Sequence, residues 1–433
     1  MGEYSGKSAQ RQAVWSAFLA KANIAHMQQT GDSEMKKSLA RCHAAGGAVR
    51  DILLGRRRRD VDYVCLGSPE EFIQRNPTAR KVENSLYCLY LLNGQEYVFF
   101  EAPPGREEPV LAKDIARRDF TINALLLSPE GLLRSHPETF ADLRDRVIRP
   151  ASSKALLEDP VRVLRAARFT ADLPEFALHA ESLDQMRQVV EKGLLASIAP
   201  EQAGRECLKA CMTLRPGNFL RALQEANALL PWFQELAPPN GEAYADVIDR
   251  AARNMDATAE FAEQSQLGQK NKNWPALAVW LSLCHTLGTC ATPEQLTRSA
   301  DRDVQSQEPQ ARTLGERLRL PSLFCKAGAL AAGASVRTAS YERLSPGDKV
   351  DLLIRLHTMH VAMPFFVALA ANWEQYHLPD VMRQDLERIL PVKLSLQWRN
   401  RGKISGERLK HMRCAVIADR TIFSGDPPET VSN

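Results

Sequence analysis

The sequence predicts an α+β head followed by an all-α body. Between His43 and about Pro150, short apolar runs rich in Val, Tyr, Phe and Leu are separated by glycine and proline turns, which is typical of strands. After Pro150, apolar residues recur at helix spacing almost to the end of the chain. The length of 433 residues allows about two or three domains, each with its own core.

The elements are predicted in chain order. An N-terminal helical extension covers residues 1–41, because Val14, Phe18 and Ala22 recur on one helix face. The predicted strands are 61–66, 86–92, 97–100 and 121–127, and the predicted helices are 159–169, 201–214, 218–230, 276–287 and 350–357. Proline and glycine breaks predict a head (42–150), a helical segment (151–237) and a helical body with a tail (238–433), with a long polar loop at 290–310.

The composition is that of an ordinary soluble protein, with 44% hydrophobic and 25% charged residues. A net charge of +4 fits an anionic partner such as RNA. The chain starts without the apolar core of a signal peptide, and no window approaches the ~18 apolar residues of a membrane span, so we expect a cytoplasmic protein with no membrane partner. The 9 cysteines are scattered without a C-x-x-C pair, which predicts free thiols and no zinc site.

The most informative stretch begins at the paired glycines Gly46 and Gly47. They follow a short apolar strand and precede a short helix, an arrangement that lets backbone N–H groups approach an anion closely. Arg50 adds a forked set of donors one turn into that helix. The pattern predicts a cradle for phosphates.

Asp60 and Asp62 follow this helix on the next predicted strand. Residues two apart on a strand project from one face, so both carboxylates can bind one hard divalent cation such as Mg²⁺. An isolated pair of this kind is also typical of a solvated turn. The preceding glycines and helix favour a metal site beside a bound triphosphate.

Two further clusters combine charged residues with apolar runs. Arg118 and Asp119 stand immediately before the predicted strand 121–127, where they can hold a ribose hydroxyl and a phosphate, or simply flank the strand as surface charges. Asp159 and Arg162 lie three apart at the start of the predicted helix 159–169, where they can also form a plain intrahelical ion pair.

Together the motifs G-G-x-V-R-D, D-x-D, R-R-D-F-T-I-N-A-L and E-D-P-x-R-x-L-R-A-A-R-F resemble the class II tRNA nucleotidyltransferases (CCA-adding enzymes) and the related bacterial poly(A) polymerases. The similarity is good over residues 42–235 and loose beyond. It implies a nucleotidyltransferase-fold head with a mixed or antiparallel sheet, followed by a helical neck, body and tail. It also implies template-independent attack of an RNA 3′-hydroxyl on the α-phosphate of CTP or ATP, with two Mg²⁺ ions.

The resemblance implies a role for each matching residue. Asp60 and Asp62 bind the metals, Glu96 matches a third active-site carboxylate, Arg118 and Asp119 hold the ribose, and Asp159 with Arg162 reads the incoming base. The residues predicted to bind the nucleotide are Gly46, Gly47, Arg50, Arg118, Asp119, Asn123, Asp159, Arg162, Arg165 and Arg168.

Hydrogen-bond chemistry supports the base-reading pair independently. Cytosine and adenine each present an amino donor beside a ring-nitrogen acceptor, whereas uracil and guanine present a carbonyl beside an N–H. An Asp acceptor and an Arg donor therefore pair with C and A and leave unpaired groups against U and G.

Two segments depart from the family pattern. The segment 101–106 is short and contains two prolines, where relatives carry a longer loop that helps the site switch from C to A, so a CC-adding enzyme is an alternative. Thr286 follows His285 where the HD phosphohydrolase motif has its metal-binding Asp, so we expect no phosphohydrolase activity.

A basic stretch near the end of the chain suits RNA, or a charged, solvated helix pair. Its members are Lys393, Trp398, Arg399, Arg401, Lys403, Arg408, Lys410 and Arg413. The remaining alternatives for the whole chain are a poly(A) polymerase and a catalytically inactive RNA-binding relative. Retention of Asp60, Asp62, Asp119, Asp159 and Arg162 argues against the inactive relative. The sequence leaves the oligomeric state open.

Overall fold

The protein is described here as a computed structural model. The structure describes residues 41–56, 61–83, 87–103, 105–236, 244–289, 304–371 and 377–419. The predicted N-terminal extension, apart from Arg41, lies outside the described residues, and so does Asp60. The chain divides into two compact units, one of residues 1–162 with 175–191 and one of residues 163–174 with 192–433. The predicted four-part domain division stays a prediction.

The first unit is built on a mixed sheet of seven strands in the order β3-β4-β5-β2-β1-β6-β7. Strands β2 and β5 run parallel, and the other neighbours are antiparallel, which confirms the predicted mixed sheet. The strands are β1 (Cys42–Ala45), β2 (Asp62–Leu66), β3 (Arg80–Lys81), β4 (Cys88–Leu92), β5 (Gln95–Phe100), β6 (Leu125–Leu127) and β7 (Leu133–Ser135), and a separate parallel pair is β8 (Val147–Ile148) with β9 (Ala177–Leu178).

The helices of this unit are α1 (Gly47–Leu53), α2 (Glu70–Arg75), α3 (Glu107–Ala116), α4 (Thr139–Asp145), α5 (Ala155–Glu158) and α7 (Ala180–Glu191). Helix α6 (Val161–Asp172) begins in the first unit and continues into the second. Alternation along β2 gives the sheet two apolar faces. Val64 and Leu66 pack with Leu111 and Ile115 of α3, whereas Cys65 belongs to an aromatic cluster on the other face.

A two-residue turn joins β4 to β5. Asn93 and Gly94 both have positive φ, 51° and 82°, while Leu92 pairs with Gln95. These values are those of a type I′ turn, whose twist matches that of the strands it connects. The turn therefore fixes the register of the β4–β5 hairpin.

Two predictions for the head were wrong. Cys42 and Cys65, expected as free thiols, are cross-strand partners on β1 and β2 and are joined by a disulfide. The predicted strand 121–127 begins with a 3-10 turn, Thr121–Asn123, and only its end is β6. The Thr121 hydroxyl donates to Asp142 at 2.6 Å, and such side-chain bonds compete with strand geometry.

The second unit is helical, as predicted. Beyond α6 its helices are α8 (Pro200–Ala210), α9 (Gly217–Glu225), α10 (Tyr244–Gln264), α11 (Leu267–Lys270), α12 (Trp274–Thr289), α13 (Val304–Arg317), α14 (Ser322–Ala339), α15 (Pro346–Thr358), α16 (Ala362–Ala370), α17 (Leu378–Ile389) and α18 (Lys403–Ala418). Helix α12 packs on α10, α14 and α16, and Trp280 at its centre is fully buried. The predicted loop 290–310 was wrong from residue 304 onward, where α13 begins.

No single helix among the described residues is long and apolar enough to cross a membrane. By length and composition alone, the bent pair α15 and α16, with 115° between them, passes that test.

Candidate active site

The glycine turn lies at the end of β1. Gly46 has φ of +67°, and its N–H donates to Leu125 at 3.0 Å, while its carbonyl accepts from Val49 and Arg50 at the start of α1. A Cβ at Gly46 would lie 3.0 Å from Nη1 of Arg118. Glycine is therefore required both for the positive φ and for the close approach of that arginine.

Arg50 is buried, with 3% of its surface exposed. Its guanidinium donates to Oδ1 of Asn123 at 2.7 Å and to Oδ1 of Asp51 at 2.7 Å and 2.9 Å. The amide of Asn123 in turn donates to Oδ1 of Asp119 at 3.2 Å, which also accepts from the N–H of Phe120 at 2.8 Å. Arg50 thus contacts protein groups and links α1 to Asp119, while its predicted direct contact with a nucleotide stays a prediction.

Two predicted carboxylates lie at one end of neighbouring parallel strands. Asp62 is the first residue of β2, Glu96 is on β5, and both are exposed. Because Tyr63 pairs with Tyr97 in the parallel register, Asp62 and Glu96 occupy neighbouring positions on one face, on strands about 4.8 Å apart. The rings of Tyr63 and Tyr97 stack on the opposite face with centroids 4.9 Å apart, as this register requires.

The glycine turn belongs to the same end of the sheet, since Ala45, the residue before Gly46, pairs with Asp62. Within the residues that the structure describes, no three His, Cys, Asp or Glu side chains form a group that could hold a metal. Asp60 lies outside those residues. The predicted Asp60–Asp62 pair therefore stays a prediction.

Asp114 was not predicted from the sequence, but it holds Arg118 beside the Gly46 turn. Its side chain is fully buried, and its Oδ2 accepts from Nε and Nη2 of Arg118 at 3.0 Å and 2.8 Å. Its Oδ1 pairs with the guanidinium of Arg117. The spacing of three and four residues on a helix was the available signal. One buried carboxylate thus orients two arginines, including the one that contacts Gly46.

Replacing Asp114 by asparagine should destabilise the protein, because two largely buried guanidinium groups would lose their shared counter-charge. We expect a loss of about 3 kcal/mol in the free energy of unfolding, measured by urea titration. The matched control is Asp145→Asn, since Asp145 pairs with Arg144 at the surface, where solvent screens the pair, and its replacement should change the stability little. Equal stability of the two variants would contradict this role for Asp114.

The predicted base-reading pair lies at the start of α6. The helix begins at Val161, so Asp159 precedes it instead of lying within it as predicted. Nη2 of Arg162 donates to the carbonyl of Arg117 at 2.7 Å, and Nη1 donates to the carbonyl of Ala155 at 3.1 Å. Nε of Arg162 lies 3.6 Å from Oδ2 of Asp159, whose side chain is 48% exposed. Backbone carbonyls therefore hold the arginine, and the carboxylate remains half exposed.

Arg165 and Arg168, also predicted to bind the nucleotide, belong to the second unit. Nε of Arg168 lies 2.5 Å from Glu206, and Nη1 of Arg165 lies 3.9 Å from it. Burial raises the pKa of Glu206, but Arg168, Arg165 and Lys209 outweigh this effect and hold the pKa below its ordinary value. Both arginines thus have a buried protein partner, and their role at a nucleotide stays a prediction.

At the degenerate HD position, His285 and Thr286 are both buried in α12. Nε2 of His285 lies 2.9 Å from the hydroxyl of Thr338. The hydroxyl of Thr286 donates to the carbonyl of Ser282 at 3.0 Å and accepts from the amide of Asn254 at 3.1 Å. Both side chains have hydrogen-bond partners within the protein, as structural core residues do.

His285 should make the stability of the protein depend on pH. Burial lowers the pKa of its imidazole from 6.5 to about 4. Between pH 6.5 and 4 the unfolded chain therefore binds a proton that the folded protein does not. As far as His285 is concerned, the protein therefore has its full stability above pH 6.5. It loses stability as the pH falls from there towards 4, by about 1 kcal/mol per pH unit.

The measurement is urea unfolding at about pH 7.5 and about pH 5.5, compared between the parent protein and His285→Gln. The variant should lose less stability between the two pH values, because glutamine does not titrate. The same pH dependence in both proteins would show that the imidazole does not titrate differently on folding.

Three residues of the predicted RNA-binding stretch form one compact cluster. The guanidinium carbons of Arg401 and Arg408 lie 5.0 Å and 4.0 Å from the ring centroid of Trp398. Lys410, on α18, pairs instead with Asp351 at 2.6 Å. The cluster therefore combines an aromatic ring with two cations, while its contact with RNA stays a prediction.

The mixed sheet, with the Gly46 turn and the exposed Asp62 and Glu96 at one end of it, is the arrangement expected of the head of a nucleotidyltransferase. No family model matches the chain. A multifunctional CCA protein of Methylococcus capsulatus is 31% identical over 427 residues, which cover 86% of this chain and 93% of that protein. The chain belongs to this family, the class II tRNA nucleotidyltransferases.

Solved structures have the same fold. A CCA-adding enzyme in complex with ATP matches with a TM-score of 0.61 and 20% identity over 88% of each chain. The Thermotoga maritima CCA-adding enzyme in complex with tRNA matches with a TM-score of 0.58 and 19% identity, over 89% of this chain and 92% of that one.

Proposed function

We propose that the protein adds C and A residues to the 3′ end of tRNA without a nucleic-acid template. The observation that carries this proposal is the placement of Asp62 and Glu96 side by side, at the end of the sheet where the Gly46 turn begins. The names of the relatives, multifunctional CCA protein and CCA-adding enzyme with ATP, support tRNA and these nucleotides over a poly(A) polymerase. A cytoplasmic location is part of the same proposal.

In this proposal the reaction is attack of the RNA 3′-hydroxyl on the α-phosphate of a bound nucleoside triphosphate, with pyrophosphate as the leaving group. Asp60 and Asp62 would hold Mg²⁺, with Glu96 beside them, because carboxylate oxygens are the ligands that this hard cation prefers. The metal would activate the hydroxyl and stabilise charge on the pyrophosphate. The exposed position of Asp62 at the start of β2 fits such a site.

The surrounding residues would position the nucleotide. Arg118, fixed by Asp114 beside Gly46, would contact the triphosphate. Asp119 would accept from a ribose hydroxyl, and its orientation depends on Asn123 and Arg50. Orientation of this kind supplies much of the rate enhancement of a reaction without a covalent intermediate.

Base selection would rest on Asp159 and Arg162. The half-exposed carboxylate of Asp159 would accept from the amino group of C or A, and Arg162 would donate to the neighbouring ring nitrogen. U and G would place a carbonyl against the carboxylate and an N–H against the guanidinium. Each mismatch would leave hydrogen-bonding groups unpaired where the base contacts this pair, at a cost of about 1–3 kcal/mol.

A CC-adding enzyme is the second candidate, favoured by the segment between β5 and α3. This segment spans only residues 101–106, and the carbonyl of its buried residue Ala102 accepts from Arg41 at 3.1 Å. A short, anchored segment has little freedom to rearrange between C and A addition.

Incubation with tRNA transcripts that end before, within and after CCA, each with a single triphosphate and Mg²⁺, distinguishes these functions. Addition of C, C and then A supports the proposal, and a stop after two cytidines supports the CC-adding enzyme. Long adenosine tails would indicate a poly(A) polymerase, and absence of any product would indicate an inactive RNA-binding protein.

A further inference from the structure

The side chain of Arg117 lies on two aromatic rings. Its guanidinium carbon is 4.1 Å from the ring centroid of Tyr87 and 5.3 Å from that of Phe100. The two rings are themselves in contact, with centroids 5.7 Å apart and planes tilted by 60°. Asp114 pairs with the same guanidinium. Residue 117 is thus held by two rings and a buried carboxylate, which we call the Arg117 clamp.

The backbone of Arg117 has a different partner. Arg117 is the C-cap residue of α3, where the last carbonyls of a helix have no partner within the helix. Its carbonyl accepts from Nη2 of Arg162 at 2.7 Å. The clamp and the guanidinium of Arg162 therefore act on one residue, the clamp through its side chain and Arg162 through its carbonyl.

The Arg117 carbonyl makes the shortest of the three contacts that hold the Arg162 guanidinium. The carbonyl of Ala155 lies 3.1 Å away, and the carboxylate of Asp159 lies 3.6 Å away. A guanidinium is planar, so two hydrogen bonds from its nitrogens fix the orientation of its plane. They also fix the direction in which its other N–H groups point. A shift of the Arg117 carbonyl would therefore turn the Arg162 donor that is proposed to contact the base.

We propose that Tyr87 and Phe100 are positioning residues for base selection. By stacking on Arg117 they fix the carbonyl that orients Arg162, although neither ring is assigned a contact with the nucleotide. This inference rests on the proposed role of Arg162 as the base-reading donor. It predicts that removing either ring affects the choice of nucleotide more than the rate of correct addition.

The test compares Tyr87→Ala and Phe100→Ala with the parent protein, using a tRNA transcript that lacks CCA. kcat/KM is measured for CTP and for UTP with each protein. We expect the preference for CTP over UTP to fall by about tenfold, which is the size of effect that loss of a cation–π contact allows. KM for CTP should rise and misincorporation of UTP should increase, while kcat for CTP should change less. Tyr87→Phe keeps the aromatic ring, so this variant should have the same preference for CTP over UTP as the parent protein.

The matched control is Phe140→Ala, since Phe140 is on α4 and is 37% exposed, against 39% for Tyr87. It should leave the preference unchanged. If either alanine variant fails to fold, as judged by urea unfolding, Tyr87→Leu or Phe100→Leu replaces it, because leucine fills space without a π face.

Arg162→Ala separates failure of this inference from failure of the proposed function. If Arg162→Ala lowers the preference for CTP but the Tyr87 and Phe100 variants do not, the clamp has no positioning role and the proposed function stands. If the ring variants slow CTP and UTP addition equally, their role is only structural and the inference is overturned. If Arg162→Ala leaves the preference unchanged, both the base-reading role and this inference are wrong.

Discussion

Replacing Asp62 by alanine should lower the rate of nucleotide addition by about 10³-fold, with the fold intact. Loss of a ligand to a catalytic metal removes about 4 kcal/mol of transition-state stabilisation, and each 1.36 kcal/mol is about tenfold in rate. Asp62 is exposed at the start of β2, so its replacement by alanine should leave no cavity in the core. Single-turnover addition of CTP to a tRNA transcript measures the effect, and urea unfolding checks the fold.

The matched control for Asp62→Ala is Asp145→Ala. Asp145 is also an exposed carboxylate of the first unit, and it pairs with Arg144 at the surface. This variant should keep nearly full activity. Addition by Asp62→Ala within about tenfold of the parent rate would rule out the metal-binding role, because that loss is smaller than the loss of a catalytic ligand. The same experiment with Asp60→Ala tests the second predicted ligand.

Replacing Arg162 by alanine should lower the preference for CTP over UTP by about 10- to 100-fold, equivalent to about 1–3 kcal/mol for one hydrogen bond to a buried partner. The substitution removes the predicted donor to the ring nitrogen of cytosine. It also leaves the carbonyls of Arg117 and Ala155 without that donor. kcat/KM for CTP and UTP on the same transcript measures the change.

The preference for CTP over UTP should also be measured for Arg162→Lys. Lysine keeps the charge but lacks the planar fork that reaches two carbonyls and a base at once, so we expect an intermediate preference. Arg144→Ala, at an exposed site, is the control. If both Arg162 variants reduce CTP and UTP addition by the same factor, Arg162 supports the fold without reading the base, and the plain ion-pair interpretation is correct.

The sequence predicted the parts of the site that depend on local pattern. Asp62 lies at the start of a strand and Gly46 in a turn with positive φ, because both features follow from residue type and near neighbours. The mixed sheet and the helical second unit were predicted as well. Asp114 was missed because its importance depends on burial, and burial is decided by what packs around α3.

Other differences have the same tertiary origin. The burial of Arg50 against Asn123 could not be predicted because Asn123 is distant in sequence, and the contact of Arg50 with a nucleotide stays a prediction. Residues 304–310 are polar enough for a loop but begin α13, where Glu308 pairs with Arg355 at 3.0 Å. The Cys42–Cys65 pairing depends on the register of β1 with β2, which cysteine spacing does not encode.

The Asn93-Gly94 turn limits the insertions and deletions that the β4–β5 hairpin can accept. Side chains alternate between the two faces of a strand, so a slip of one residue exchanges the faces completely. An insertion in this turn that shifted β5 by one position would send Glu96 to the face with the aromatic cluster and bring Tyr97 to the face that carries Asp62. The neighbouring positions of Asp62 and Glu96 therefore depend on a hairpin turn that lies outside the candidate site.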